Sequence, residues 1–292
     1  MSKIKVSILG ADGFTCQIPR IKEGMQELGH EITQDSPNLI YSNDPRGYGE
    51  ALMLKKKYPS AYLILNFLDV PWHLPNVEKQ TEDLVKNYFS KADALSVISF
   101  KVKNDIKKFY NKEIHVIYNP TKDVFFNSEI KKTNKFLYVG RANDPIKRIK
   151  LLSDMSIKNP LIFKDLKICG TENPGFGKYL GVVSDEKLNE YYNSSKFLLL
   201  PSRAEGLGLT MIEGLICGCI PITCSDNLTA KEFSPLNFIC EPNNESMFKK
   251  VEELEKKYID NKALALKFGK KYKLQFDKKS IAKNIIDIFN SK

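Results

Sequence analysis

Apolar residues in this chain fall in short unbroken runs separated by longer stretches of mixed polarity. KVSILG, NLIYS, AYLILNF and ALSVIS hold four to six consecutive mostly apolar positions each. Such runs predict strands buried on both faces of a parallel sheet. Between the first two lies IPRIKEGMQELGHEI, which sets Ile18, Ile21, Met25 and Leu28 on one helical face and stops at Gly29. EALMLKKKYP, NVEKQTEDLVKNYFSKA and FKVKNDIKKFY predict further helices, and EIHVIYNP closes this first series with a strand. Residues 121–134, TKDVFFNSEIKKTN, are polar and lysine-rich and read as a linker. The alternation then restarts with KFLYVGRAN and continues through DLKICG, KYLGVV, KFLLLPS and CIPITCS, with helices between them and to the end. The expected fold class is therefore α/β, with two Rossmann-like parallel-sheet domains. In such folds ligands bind at the carboxyl ends of strands, and the cleft between two such domains is the expected active site.

That topology places PSRAEGLGLTMIEGLICGCIPI (201–222) across one strand-to-helix turn. KFLLLPS is a buried strand, RAEGLG the turn, and LTMIEGLICG the start of a helix. Amides exposed at a helix start, with the positive dipole end, favour a phosphate. Gly206 and Gly208 allow close approach of a ligand to the backbone. Glu205 and Glu213 stand eight positions apart, about 12 Å if helical. A carboxylate accepts from two neighbouring hydroxyls. The pair either grips a sugar and a ribose joined through a diphosphate, or is two unrelated surface glutamates. Upstream, FLYVGRANDPIKR sets Arg141 and Lys147 in another strand-to-helix loop facing the same sheet edge. The two are either cations placed to neutralise a leaving diphosphate or an ordinary basic loop in a lysine-rich chain.

Composition narrows the classes. With 292 residues, 42% hydrophobic and 27% charged, the chain has the balance of a folded globular protein. No run is long enough to cross a bilayer, and MSKIKVSILGADG reads as a first strand, so the expectation is a cytoplasmic protein. Cys16, Cys169, Cys217, Cys219, Cys224 and Cys240 lie mostly in apolar segments, which suits reduced, buried thiols. Cys217-Gly-Cys219 has no nearby histidine and no second pair at zinc spacing, so no metal site is expected. Thirteen lysines against six acids from Lys249 onward hold +7 of the net charge of +10. They form either a solvated helical surface or a face that attracts an anionic partner such as phospholipid, glycan or nucleic acid.

VGRANDPIKR followed by LLLPSRAEGLGLTMIEGLICGCIPI resembles the donor-binding half of the retaining GT-B glycosyltransferases of family 4. LGHEI, KADALSVISFKVKNDIKKF, IHVIYNPTKDVFF and FDKKSIAKNIIDIF are similar to other parts of that family, so the resemblance covers nearly the whole chain. It implies a GT-B fold with a short acceptor-side domain over 1–130, a nucleotide-sugar domain over 131–276, and a helix over 277–292 that returns to the first. It further implies that Arg141 and Lys147 bind the diphosphate and that Glu205 lies beside the transferred sugar. Gly206, Leu207, Gly208 and Leu209 would hold the distal phosphate through amides, and Glu213 the ribose. The base would lie against the strand around Leu180 and Val182. Gly13, in the loop starting at Gly10, would approach the donor. The implied reaction is sugar transfer with retention, by front-face attack, from a UDP- or GDP-linked donor and without a required cofactor or metal. The acceptor would be a lipid-linked or cell-surface glycan, with peripheral contact to an anionic membrane; modified DNA is the lesser alternative.

The sequence also departs from that pattern. Leu68 stands where many members carry histidine, followed by Asp69 in NFLDVPWHLP; Asp69 or the nearby His73 would serve the acceptor. Asn119-Pro120 replaces a frequent Asn-Gly and stiffens the backbone. Little chain separates Ile32 from Pro37, where relatives insert acceptor loops. A nucleotide-sugar epimerase, a hydrolase and a non-catalytic nucleotide-sugar binder share the fold and remain alternatives. Lys270, Lys271, Lys273, Lys278 and Lys279 are expected to face outward without a role in folding.

Overall fold

The computed structural model describes residues 3–10, 17–68 and 76–292. The chain forms two compact units, one of residues 1–120 with 275–292 and one of residues 121–274.

In the first unit the strands are β1 (Lys5–Leu9), β2 (Glu31–Ile32), β3 (Leu39–Ser42), β4 (Tyr62–Phe67), β5 (Ala94–Val97) and β6 (Ile114–Val116). They pair in parallel in the order β2-β1-β3-β4-β5-β6. Every residue of β3 is buried, as continuous apolar runs covered on both faces require. Chain direction across the sheet reverses between β1 and β3. There Gly10, with φ +133°, packs so close to the next turn that a Cβ would meet Asp44 Oδ2 at 2.8 Å. One face of the sheet is covered by the helix Gln17–Glu27 and by the helix Lys278–Asn290 packed on it. Ile18, Ile21 and Met25 share one apolar cluster with Ile281, Ile285, Ile288 and Phe289. Each such side chain contributes about 1.5–3 kcal/mol when fully buried. Gly24 lets the helices touch: a Cβ there would lie 2.3 Å from the carbonyl oxygen of Lys278.

The second unit holds β7 (Asn134–Val139), β8 (Lys167–Cys169), β9 (Lys178–Gly181), β10 (Ser195–Leu200), β11 (Ile220–Cys224) and β12 (Ile239–Cys240). These also pair in parallel, in the order β12-β11-β10-β7-β8-β9. The chain runs outward from β7 through β9, returns to β10 beside β7, and runs outward the other way. The switch point, where loops from adjacent strands diverge and leave a crevice, therefore falls between β7 and β10.

Two expectations need correction. The segment after Pro120 is no free linker, and the domain boundary expected at 130 falls inside it. Phe125 is buried; the Phe126 amide donates to Asn189 Oδ1 at 3.3 Å and the Ser128 amide to Asn193 Oδ1 at 2.8 Å. Lys122 pairs with Asp185 at 2.5 Å. Side-chain amides thus satisfy the backbone of a polar strap laid on the second unit. Nor are the five lysines all idle. Lys273 donates to the carbonyls of Asp123 and Phe125 at 3.0 and 2.9 Å. Lys278 bridges Glu23 and Glu27 at 3.1 and 2.9 Å, and Lys279 meets Glu27 at 3.2 Å. Lys270 and Lys271 are exposed. The five cysteines among the described residues are free and buried.

Candidate functional site

The loops after β7 and β10 meet at the switch point of the second sheet. Their backbones are joined where the Arg203 amide donates to the Ile146 carbonyl at 2.8 Å. In the first loop Asp144 caps the 3₁₀ turn Pro145–Lys147, accepting from the Ile146 amide at 3.0 Å, and takes Arg141 Nη2 at 2.6 Å. Arg141 is otherwise turned to solvent, its side chain 65% exposed. Lys147 instead reaches the second loop and places Nζ 2.5 Å from Glu205 Oε1, with both side chains mostly buried. The two residues are 58 positions apart. The neighbouring loop after β8 is held close: a Cβ on Gly170 would lie 2.1 Å from the Gly140 carbonyl oxygen, and Glu172 accepts from the Ala142 amide at 3.1 Å. Burial and the nearby carboxylates of Glu205, Asp144 and Glu172 push the Tyr138 phenol well above its ordinary value, keeping it neutral.

The turn after β10 ends at Gly208, whose φ of +75° is the left-handed conformation that glycine adopts without strain. Gly208 caps the helix Leu209–Ile216, so residues 205–208 are turn and only the second half of the Glu-to-Glu spacing is helical. Leu207 is buried and anchors the turn, while Gly206 and Leu209 are partly exposed. Lys147, Ser202, Glu205, Gly208, Thr223 and Thr229 line a narrow cleft there. Thr229, in the short helix Leu228–Phe233 that follows β11, donates to the Glu205 carbonyl at 2.5 Å and fixes the turn. Glu213, on the second helical turn, accepts from the Tyr192 hydroxyl at 3.1 Å.

The structure thus brings Lys147, Glu205 and Gly208 together, with Arg141 in the same loop. Leu180, within the edge strand β9, and Val182, just beyond it and 66% exposed, are not among the cleft residues. Gly13, Asp69 and His73 lie outside the described residues. Three supporting residues carried no signal in the sequence reading. Arg148, at φ +47°, donates Nε to the Pro201 carbonyl at 2.7 Å and forks onto Asp226 through two 2.8 Å bonds. It ties the ends of β10 and β11. Thr229 and Tyr192 hold Glu205 and Glu213 in similar fashion. Among the described residues no cluster of His, Cys, Asp or Glu is arranged to hold a metal ion, and no helix is long and apolar enough to cross a membrane.

Two parallel α/β units of this kind define the GT-B fold. Among solved structures, HepE from Anabaena in complex with UDP and glucose superposes with a TM-score of 0.78 at 15% identity, over 99% of this chain and 100% of that one. Sucrose-phosphate synthase from Thermosynechococcus elongatus gives 0.76 at 12% identity, over 99% of each. At such identity these likenesses establish the fold alone. Residues 176–273, which include Glu205 and Glu213, match the family Glycosyl transferases group 1. The O-antigen chain mannosyltransferase B of Escherichia coli is 34% identical over 71 residues, which is 24% of this chain and 18% of that protein's length.

Proposed function

We propose that this protein is a retaining glycosyltransferase that moves a sugar from a nucleotide-diphosphate donor to a glycan hydroxyl. The observation that carries this reading is the contact of Lys147 with Glu205 at the switch point, beside the glycine-capped start of a helix. Each part has a chemical task. Lys147 and Arg141 neutralise the diphosphate, releasing their carboxylate partners as it arrives. Amides of the Gly206–Leu209 turn take the distal phosphate at the positive end of the helix. Glu205, freed from Lys147, accepts from hydroxyls of the transferred sugar, and Glu213 accepts from the ribose. The bond from the anomeric carbon to the phosphate oxygen breaks while the acceptor oxygen attacks the same face, and the departing phosphate takes the acceptor's proton. No metal is needed, because two cations and the helix start oppose the developing charge.

HepE is known with UDP and glucose and with UDP-glucose, so a UDP-sugar is the first donor to test, with GDP-sugars next. We assign the acceptor side to the first unit and to Asp69, with a lipid-linked or cell-surface glycan at the cytoplasmic face of an anionic membrane. The test is release of nucleoside diphosphate from these donors with and without glycan acceptors, with the product's anomeric configuration read by NMR. Release that depends on acceptor, with retention, is expected. Release without acceptor makes the protein a hydrolase, and inversion overturns the front-face step. Glu205→Gln is expected to reduce transfer far more than affinity for the bare nucleoside diphosphate. Glu213→Gln is expected to reduce that affinity, and equal calorimetric losses would contradict the division of roles.

A further inference from the structure

The carboxylate of Glu213 accepts from a side chain that the proposed chemistry leaves unexplained. Tyr192 sits on the helix Asp185–Ser194, is fully buried, and donates its hydroxyl to Glu213 Oε2 at 3.1 Å. The terminal torsion of a glutamate is broad and roughly two-fold, so backbone and rotamer alone leave the carboxylate plane loosely set. A hydroxyl anchored elsewhere in the fold fixes that plane, and this one is well anchored. The ring of Phe125, from the strap after Pro120, meets the Tyr192 ring edge-on at 5.7 Å and 75°. The strap is pinned by Asn189 and Asn193 on the same helix, and Lys132 donates to the Tyr192 carbonyl at 3.0 Å. Asn189 also accepts from Cys217 Sγ at 3.2 Å, next to the end of the helix that carries Glu213. Burial and the adjacent Glu213 charge raise the phenol well above its ordinary value, so it remains a donor at every working pH.

We infer that Tyr192 is a positioning residue that orients Glu213 toward the ribose, and so sets how strongly the site prefers ribonucleotides to deoxyribonucleotides. The inference rests on Glu213 as the ribose acceptor. A carboxylate whose plane is fixed offers its remaining lone pairs in one direction. A free one adapts, binding ribose less well and tolerating its absence better.

Calorimetry on the full chain tests this with UDP or GDP, whichever wild type binds more tightly, and with the matching 2′-deoxy and 3′-deoxy diphosphates. Wild type is expected to favour the ribonucleotide over at least one deoxy form by roughly tenfold, the scale of one hydrogen bond to a charged group. Tyr192→Phe keeps the ring packing, and it is expected to bring that ratio close to one while weakening the ribonucleotide more than the deoxynucleotide. Phe125→Leu, which loosens the ring but keeps the hydroxyl, is expected to lower the ratio partway. A merely structural tyrosine would weaken all the nucleotides alike and leave the ratio at its wild-type value in both variants; that result overturns the inference while Glu213 keeps its role. No preference in wild type, or no binding of either diphosphate, overturns the ribose reading and the inference with it.

Discussion

Gly269 lies in the middle of the helix Tyr258–Gln275, where alanine would ordinarily be the better residue. Relief of backbone entropy alone predicts that Gly269→Ala gains up to about 1 kcal/mol. The packing predicts the opposite. A Cβ there would lie 2.2 Å from the Leu215 carbonyl oxygen and 2.8 Å from Ile216 Cα. A carbon approaches a carbonyl oxygen to about 3.3 Å, so the two helices must part by roughly 1 Å. Overpacking of this kind costs about 1–3 kcal/mol, and an obstacle made of backbone puts the cost at the upper end. The net expectation is a loss of about 2 kcal/mol, which lowers Tm by roughly 4–8 °C for a protein of this size. The displaced helix is the one that carries Glu213, and a misplacement of about 1 Å costs up to 10²-fold in turnover efficiency. Thermal unfolding and nucleotide titration on one preparation measure both effects. Gly49→Ala is the internal control: exposed, helical, with nothing within 4 Å of its Cβ, it is expected to raise stability by about 0.4–1 kcal/mol. An unchanged or higher Tm for Gly269→Ala would refute the packing argument. A lower Tm with unaltered nucleotide affinity would refute the mechanical link to Glu213.

The site's cations are expected to divide by role. Lys147→Ala and Arg141→Ala should each lose on the order of 2–4 kcal/mol of transition-state stabilisation, read as kcat/KM; unchanged values in both would remove them from diphosphate binding. Arg148→Lys keeps the charge but loses the fork onto Asp226, so both it and Arg148→Ala should lower Tm, with lysine recovering less than half of the loss. The closing helix should loosen in acid. Lys278 and Lys279 hold the Glu27 carboxyl below its ordinary value, so the stability it contributes is present above the usual glutamate pKa, about 4.3, and is lost as pH falls through the lower folded value. Proteolysis at the junction near Gln275 followed from pH 6 to pH 3 measures this, and Glu27→Gln should show a flatter profile.

The strands were legible because their physical cause is local. Runs such as LILNF and FLLL are buried on both faces and need no partner to be recognised. The candidate site was legible only as two loops, since the restart of the pattern put Arg141, Lys147 and Glu205 at strand ends. It was not legible as a contact. The bond from Lys147 to Glu205 depends on β10 returning beside β7, which the order of elements in the chain does not specify. The strap after Pro120 was misread for a related reason. Its lysines and asparagines look like solvent-exposed linker, yet its backbone is satisfied by Asn189 and Asn193 more than sixty positions away. Tyr192 carried no signal, because nothing near it in sequence shows what its hydroxyl meets.

Ile18, Ile21 and Met25 are covered by residues that the ribosome adds about 260 positions later. At roughly 5–20 residues per second, that interval lasts on the order of 10–50 s. All of the second unit is synthesised within it, so the inserted unit can complete its core while the surrounding one still presents a bare apolar helix face. That face is open to chaperones, and to the same face on a neighbouring nascent chain. Polysomes that crowd such chains would favour exchange of the closing helix between copies, and the rate of translation through the inserted unit sets how long that exposure lasts.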